Sequence, residues 1–229
     1  MKQTRAHLVD RIDCHVHSRY SPDGRGTVKE LASVAIEKGL TGICITDHNS
    51  LRVAVEAKEA RFENFIVLSG MEVSTRQGHC LALGAREEIP RLLSLPEALE
   101  RIVAAGGVGV PSHPFRRIHG VGEMGVLQAR PKAIEVYNAR DGRGPSRRAA
   151  RLAEENKLGG TGGSDAHQIF ETGNAYAVFK EPVNDVDDFL DQIEAGTTWG
   201  RGEPTPKGQI FSQNFKNIWL WARRGFRSI

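Results

Sequence analysis

The chain has 229 residues, enough to bury one large core or two small ones, and its 39% hydrophobic against 26% charged residues is the balance of a globular protein. A formal net charge of +3 accommodates anionic ligands without marking a nucleic-acid protein, because so small a surplus spreads easily over solvated surface. The three cysteines lack CxxC spacing, which points to a reduced, cytoplasmic setting, and no apolar run has the length of a signal peptide or membrane span.

The first expected element is a strand in "HLVDRIDCHVH", with Ile12, Cys14 and Val16 on one face and Asp13, His15 and His17 on the other. Thr27 opens a capping box, "TVKE", for a helix that runs to Gly39. "TGICITDH" reads as the next strand and "SLRVAVEAKEARF" as the next helix, followed by strands in "FIVLSGMEVS" and "GHCLALG". Ser94 starts a second capping box, "SLPE", and a helix to about Ala105. The rhythm continues through "VGVPSHP", "KAIEVYN", a helix near 145–156 and "LGGTGGSDAH". Such β/α alternation is expected to build a parallel sheet, open or closed.

The glycines of "GGTGG" lack the Lys-Ser/Thr of a P-loop and read as closely packed backbone. Cys14 and Cys80 each neighbour a strand histidine, so they face away from it and are expected to act as small buried hydrophobes. Residues 205–229 stand apart as a basic, aromatic tail in which Phe215, Ile218, Trp219 and Ala222 follow a helical stripe. The tail is expected to dock on its own barrel or on a second subunit, as in a homo-oligomer; a membrane surface or a macromolecular partner are the alternatives.

Strand after strand carries a metal-capable side chain at its end: His15 and His17, Asp47 and His48, Glu72, His79, His113, then Asp165 and His167. Taken singly, His79 or His113 reads as a hydrogen-bonded structural histidine and Asp165 as a helix N-cap. Taken together, they are expected to meet, because the C-terminal strand ends of a β/α barrel converge on one face.

The segments "HVHSRYSPDG", "ITDHN", "GMEVS…GHCLALG", "PSHP" and "GGSDAH", in that order, resemble the PHP (polymerase and histidinol phosphatase) superfamily of metal-dependent phosphoesterases. The resemblance implies a distorted seven-stranded β/α barrel over residues 1–204 with two to three divalent ions at the strand ends. It implies that His15, His17, Glu72 and Asp165 hold one ion, and that Glu72 bridges to a second completed by His79 and His113. Asp23, His48 and His167 would hold a third, the alternative for Asp23 being a turn-former before Gly24. Asp47 is expected behind the ligands, orienting one of them.

Mixed imidazole and carboxylate ligation suits Zn²⁺, Mn²⁺ or Fe²⁺. Ions sharing a carboxylate acidify a bridging water and neutralise phosphoryl oxygens, so the implied chemistry is phosphoester hydrolysis, with Glu72 and Asp165 as its carboxylates. Arg116, Arg117 and Arg143 are expected to clasp the phosphate and Asn138 to touch substrate. His119, outside the metal set, is a candidate proton donor to the leaving group, and the sequence leaves the general acid open.

Only 23 residues lie between His48 and Glu72, where nucleotide- and RNA-directed relatives often carry an insertion, so the site is expected to be open. A small phosphorylated metabolite, a nucleotide and the 5′ end of an oligonucleotide all remain as substrates. The contrasting class is a non-catalytic metal-binding module that recruits a partner through the tail; the full ligand set weighs against it.

Overall fold

A computed structural model describes residues 9–206, 208 and 210. In chain order the elements are β1 (Arg11–Val16), α1 (Val28–Glu37), β2 (Gly42–His48), α2 (Ala54–Glu59), β3 (Ile66–Ser74) and β4 (His79–Leu83). They continue as α3 (Leu95–Ala104), β5 (Val108–Pro111), α4 (Gly122–Ala129), β6 (Ala133–Asn138), α5 (Arg143–Asn156) and β7 (Gly159–Gly163). The last are β8 (Ala175–Val178), α6 (Val186–Glu194) and β9 (Trp199–Gly202). Local signals account for the best-defined helix starts: Thr27 and Ser94 each cap the third helical amide while Glu30 and Glu97 reach back to the capping residue.

The strands form one sheet in the order β5-β4-β3-β2-β1-β8-β7-β6, with β9 paired to β8. The sheet curls into a nearly closed barrel, and β5 and β6 approach each other across its seam. Eight strands therefore lie along the path where seven were expected, and β9 is a ninth. Near the mouth, β1 runs directly beside the chain leaving β7: Val16 bridges Ala166, and the His17 amide donates to the Ala166 carbonyl at 2.9 Å. β8 pairs with the start of β1, where Ile12 faces Ala177, and meets β7 at its last residue, where Gly163 faces Tyr176.

The expected all-parallel sheet is not what forms. The pairs β1–β2, β2–β3 and β6–β7 are parallel, but β3–β4, β4–β5, β1–β8, β7–β8 and β8–β9 are antiparallel. The cause is visible at 75–78, where the Thr75 amide bonds the Gly78 carbonyl and turns the chain in a hairpin too short for a crossover helix. The helix expected over 50–62 is also shorter, because Ala60 is extended and Phe62 bridges Phe65 across a left-handed Asn64.

Cys14, Cys44 and Cys80 are fully buried in the hydrophobic core, and burial pushes their thiols up from the ordinary range. The stripe expected at Phe215–Ala222 lies outside the described residues. Among the described residues, no helix is long and apolar enough to cross a membrane.

The glycines of β7 are packed against backbone and site alike. A β-carbon on Gly162 would come within 2.4 Å of the Tyr176 carbonyl oxygen, and one on Gly163 within 2.2 Å of the His15 β-carbon and 3.0 Å of Glu135 Oε1. Gly163→Ala is thus expected to cost about 1–3 kcal/mol in urea unfolding. Gly144→Ala in α5, where the added carbon meets nothing within 4 Å, is expected to gain about 0.5–1 kcal/mol. Equal unfolding midpoints for the two variants would contradict this packing.

Candidate metal centre

β1 delivers His15 and His17 to the barrel mouth, β2 ends on His48, and β3 carries Glu72. His79 opens β4 instead of closing a strand. Because β4 is antiparallel to β3, its first residue lies at the same mouth, and Ser74 is its register partner. His113 follows β5, and Asp165 and His167 follow β7. Two of these residues hold backbone that L-residues seldom adopt, His113 with φ 31° and Asp165 with φ 54°. Hydrogen bonds secure both, from the His113 amide to Glu135 Oε2 at 2.7 Å and from the Asp165 amide to the His15 carbonyl at 2.8 Å.

Glu72 lies at the centre and is 1% exposed. Its Oε1 stands 2.9 Å from His79 Nδ1, 2.9 Å from His113 Nε2 and 3.4 Å from His15 Nε2. Its Oε2 stands 2.9 Å from His48 Nδ1 and 3.5 Å from His17 Nε2. Asp165 Oδ1 faces His17 Nε2 at 3.3 Å and His15 Nε2 at 3.6 Å. Across the mouth, Asp23 Oδ2 is 3.1 Å from His167 Nε2 and its Oδ1 3.7 Å from His48 Nε2. Gly24 makes the turn that aims Asp23, since a side chain there would come within 2.0 Å of the Ser18 carbonyl oxygen.

Charge in this pocket is strongly divided. Burial alone would raise the Glu72 and Asp165 carboxyls, but the histidines around Glu72, and Arg116 with His15 beside Asp165, hold both well below the usual range. Burial opposes protonation of His15 and His48. Asp165, Glu135 and Glu72 nevertheless raise His15 well above its ordinary value, and Glu72 with Asp23 brings His48 to about 10. His17 falls to about 3 through burial and the neighbouring imidazoles of His48 and His167, and His113 to about 4 through burial and Arg116.

Glu135, on β6, is a carboxylate that the strand-end pattern misses. It is 1% exposed, its Oε1 lies 3.0 Å from His15 Nδ1, and its Oε2 accepts from the His113 amide and, at 3.0 Å, from Asn138 Nδ2. The only hint was a charged residue inside the apolar run "AIEV". Asp13, paired in the same way with the interior, accepts from the amides of His15, Ser164 and Gly173 and ties the end of β7 to β1. Asp47 likewise bonds the Ser18 amide and hydroxyl, at 2.7 and 2.6 Å, in the turn after His17. Ser21 in that turn reaches His17 Nδ1 at 3.1 Å.

The expected substrate residues separate into two groups. Arg116 spends its guanidinium inside the protein, on Asp165 Oδ2 at 2.6 Å, Asp141 Oδ1 at 2.5 Å and Asn138 Oδ1 at 3.0 Å. Asn138 is 2% exposed and links Glu135 to Arg116. Both are engaged in holding the cluster, Asn138 buried and Arg116 partly exposed. Arg117 is exposed, and Arg143 faces Glu203 Oε2 at 3.3 Å. His119 is exposed at the mouth, its ring stacked on His79 at 4.5 Å, and burial with the neighbouring His79 lowers its pKa.

The donor set fits divalent ions. Ligand-capable atoms converge within 4.8 Å in four triads: His15-His17-Asp165, His15-Glu72-His113, His48-Glu72-His79 and His17-His48-His167. His15 Nε2 and His17 Nε2 face each other at 3.2 Å, with carboxylate oxygens close by. Asp23 Oδ1 and His113 Nδ1 are buried without a hydrogen-bond partner among the described residues. So many converging nitrogens and carboxylate oxygens, buried around Glu72 and partly open at His48 and Asp23, match the needs of bound cations.

Comparison with known proteins agrees with this geometry. A profile of the PHP domain matches residues 13–113, and one described as PHP-associated matches residues 144–198. The uncharacterized protein MJ1587 of Methanocaldococcus jannaschii is 33% identical over 146 residues, covering 58% of this chain and 85% of that protein. Among solved structures, PsfC from Pseudomonas syringae PB-5123 superposes with a TM-score of 0.70 at 19% identity, over 93% of this chain and 99% of that one. The lesion-specific endonuclease PfuEndoQ from Pyrococcus furiosus gives 0.67 at 17% identity, over 85% of this chain and 59% of that one. With its barrel, its histidine-rich mouth and both matching segments in order, the chain belongs to the PHP family.

Proposed function

We propose that this protein is a metal-dependent phosphoesterase that holds two to three divalent ions, Mn²⁺, Zn²⁺ or Fe²⁺, at the barrel mouth. The observation that carries the reading is the Glu72 carboxylate, whose two oxygens are each met by a different set of imidazole nitrogens. His15, His17 and Asp165 with Glu72 make one site, Glu72 with His79 and His113 a second, and Asp23, His48 and His167 a third. Divalent ions bound there supply Lewis-acid activation of water and neutralise the phosphoryl oxygens of an ester.

The chain's own residues prepare that chemistry. Glu135 accepts the His15 Nδ1 proton, which fixes the tautomer and leaves Nε2 free to ligate. Arg116 fastens Asp165 through Oδ2 and leaves Oδ1 facing the histidines. His119, at the rim and stacked on His79, is placed to exchange a proton with a leaving group. Arg117 adds an exposed cation close in sequence to His113. The substrate is a phosphate ester of a small metabolite, of a nucleotide or of the 5′ end of an oligonucleotide. That an endonuclease shares this fold is compatible with the last of these.

Two outcomes are expected. Protein reconstituted with Mn²⁺ should contain two to three ions per chain by elemental analysis and hydrolyse p-nitrophenyl phosphate, with chelation abolishing turnover. Glu72→Gln should lose ions and more than about 100-fold of the rate; one ion or none in the wild-type chain sinks the proposal. Metal uptake should also release protons. In the metal-free chain His48 keeps its proton up to about pH 10, so ions must displace it and affinity should climb as pH rises towards that value. A pH-independent affinity between 6 and 9 would contradict the assignment of His48.

A third prediction concerns Glu135. Glu135→Gln puts an amide donor against either the His15 Nδ1 proton or the His113 amide, so metal affinity should fall about 10–100-fold. Arg116→Ala should act in the same direction by freeing Asp165. Isothermal titration with Mn²⁺ checks both, and unchanged affinities would mean that neither residue positions a ligand.

A further inference from the structure

Behind β6 lies a cavity of about 310 Å³ that the metal chemistry does not use. Its walls follow from two periodicities. In and just beyond β9, Trp199, Arg201 and Glu203 alternate with Gly200 and Gly202, so one strand face bears all three side chains. Along α5, Arg143, Ser146, Arg147 and Ala150 fall at i, i+3, i+4 and i+7, one helical face turned to the same space. Tyr137 also lines it. Tyr137 directly precedes Asn138, whose side chain reaches Asp165 at 3.4 Å, so adjacent residues of one strand serve the cavity and the metal cluster.

The lining has an uneven chemistry. Arg143 is offset by Glu203 at 3.3 Å, but among the described residues no carboxylate pairs with Arg147 or Arg201, and both are exposed. Trp199 is held in place from behind: a β-carbon on Gly160 would come within 2.8 Å of its ring, which leaves the ring wedged between the core and the cavity. Unpaired guanidiniums beside two aromatic rings are complementary to a phosphate joined to a planar base, by charge pairing and stacking. The volume is of the size that small-molecule sites occupy, about 300–1,000 Å³. The basic C-terminal tail, with Lys216, Arg223, Arg224 and Arg227, repeats the cavity's own charge and is a poor electrostatic match for it.

We propose that this trough is a subsite for a nucleotide of the same strand as the phosphate undergoing hydrolysis, with Trp199 and Tyr137 taking its base and Arg147 and Arg201 its phosphate. The inference rests on the phosphoesterase reading and narrows its substrate class to a nucleic-acid strand. Only residues 139–142 separate Asn138 at the metal cluster from Arg143 at the trough, so a strand held at both would cross this short loop.

Fluorescence anisotropy of the full chain with a fluorescein-labelled, phosphorothioate-linked trithymidylate tests it. The trinucleotide should bind more tightly than thymidine 5′-monophosphate competes. Arg147→Ala/Arg201→Ala should raise its Kd about tenfold or more and flatten its salt dependence, the loss expected of two phosphate-directed cations. The paired lysine substitutions should retain most of the affinity, and melting temperatures and metal content should match the wild type in both variants. A trinucleotide that binds no better than the mononucleotide, or an alanine variant that binds like the wild type, overturns the subsite. Arginine-dependent strand binding without hydrolysis of any phosphate ester would instead leave the trough standing and overturn the phosphoesterase reading.

Discussion

A carboxylate shut away from water is tolerated only when positive charge or hydrogen-bond donors reach both of its oxygens. At Glu72 five imidazoles do so, three around Oε1 and two around Oε2. Those histidines come from four strands or their ends, so the whole barrel is arranged around one acidic group. The hairpin between β3 and β4 is part of that arrangement, because it returns His79 to the mouth that Glu72 has just reached. A crossover helix at that point would have carried the next strand's N-terminus to the far end of the barrel.

Around this centre stands a shell of buried acids and an amide, tied to the mouth through Arg116. Glu135 joins His15 to the backbone of His113, Asn138 joins Glu135 to Arg116, and Arg116 joins Asp165 to Asp141. The glycines of β7 make this shell compact, for only a residue without a β-carbon lets His15 and Glu135 approach so closely. Left-handed backbone at His113 and Asp165 is held by the same hydrogen bonds. Conformational strain, close packing and electrostatics thus fall on one set of residues, as expected where a site must be rigid before its ions arrive.

Much of this could be read from sequence, and the part that could not has a physical reason. Capping boxes at Thr27 and Ser94 are local, so the first turns of α1 and α3 were legible from four residues each. The imidazoles and carboxylates of the mouth were legible as a list, because each closes or opens an apolar run. Their mutual partners were not, since Arg116 and Asp165 meet across 49 positions and His15 and Glu135 across 120. Arg116 beside "SHP" was therefore legible as a cation near the mouth but not as the partner of Asp165 and Asp141. Strand direction at β3–β4 was legible in principle, because the four residues between Ser74 and His79 are too few for the crossover that a parallel neighbour needs; the β/α rhythm of the rest of the chain masked it. β8 and β9 were missed as elements because runs of four residues carry too little periodicity.

The central claim is that the two oxygens of Glu72 serve two different ions. Anomalous diffraction at the manganese edge, from crystals of the Mn²⁺-loaded protein, addresses it directly. The account predicts at least two manganese peaks flanking Glu72, with Oε1 and Oε2 bound to different peaks. A single peak chelated by both oxygens, or peaks that leave Glu72 unligated, would contradict it.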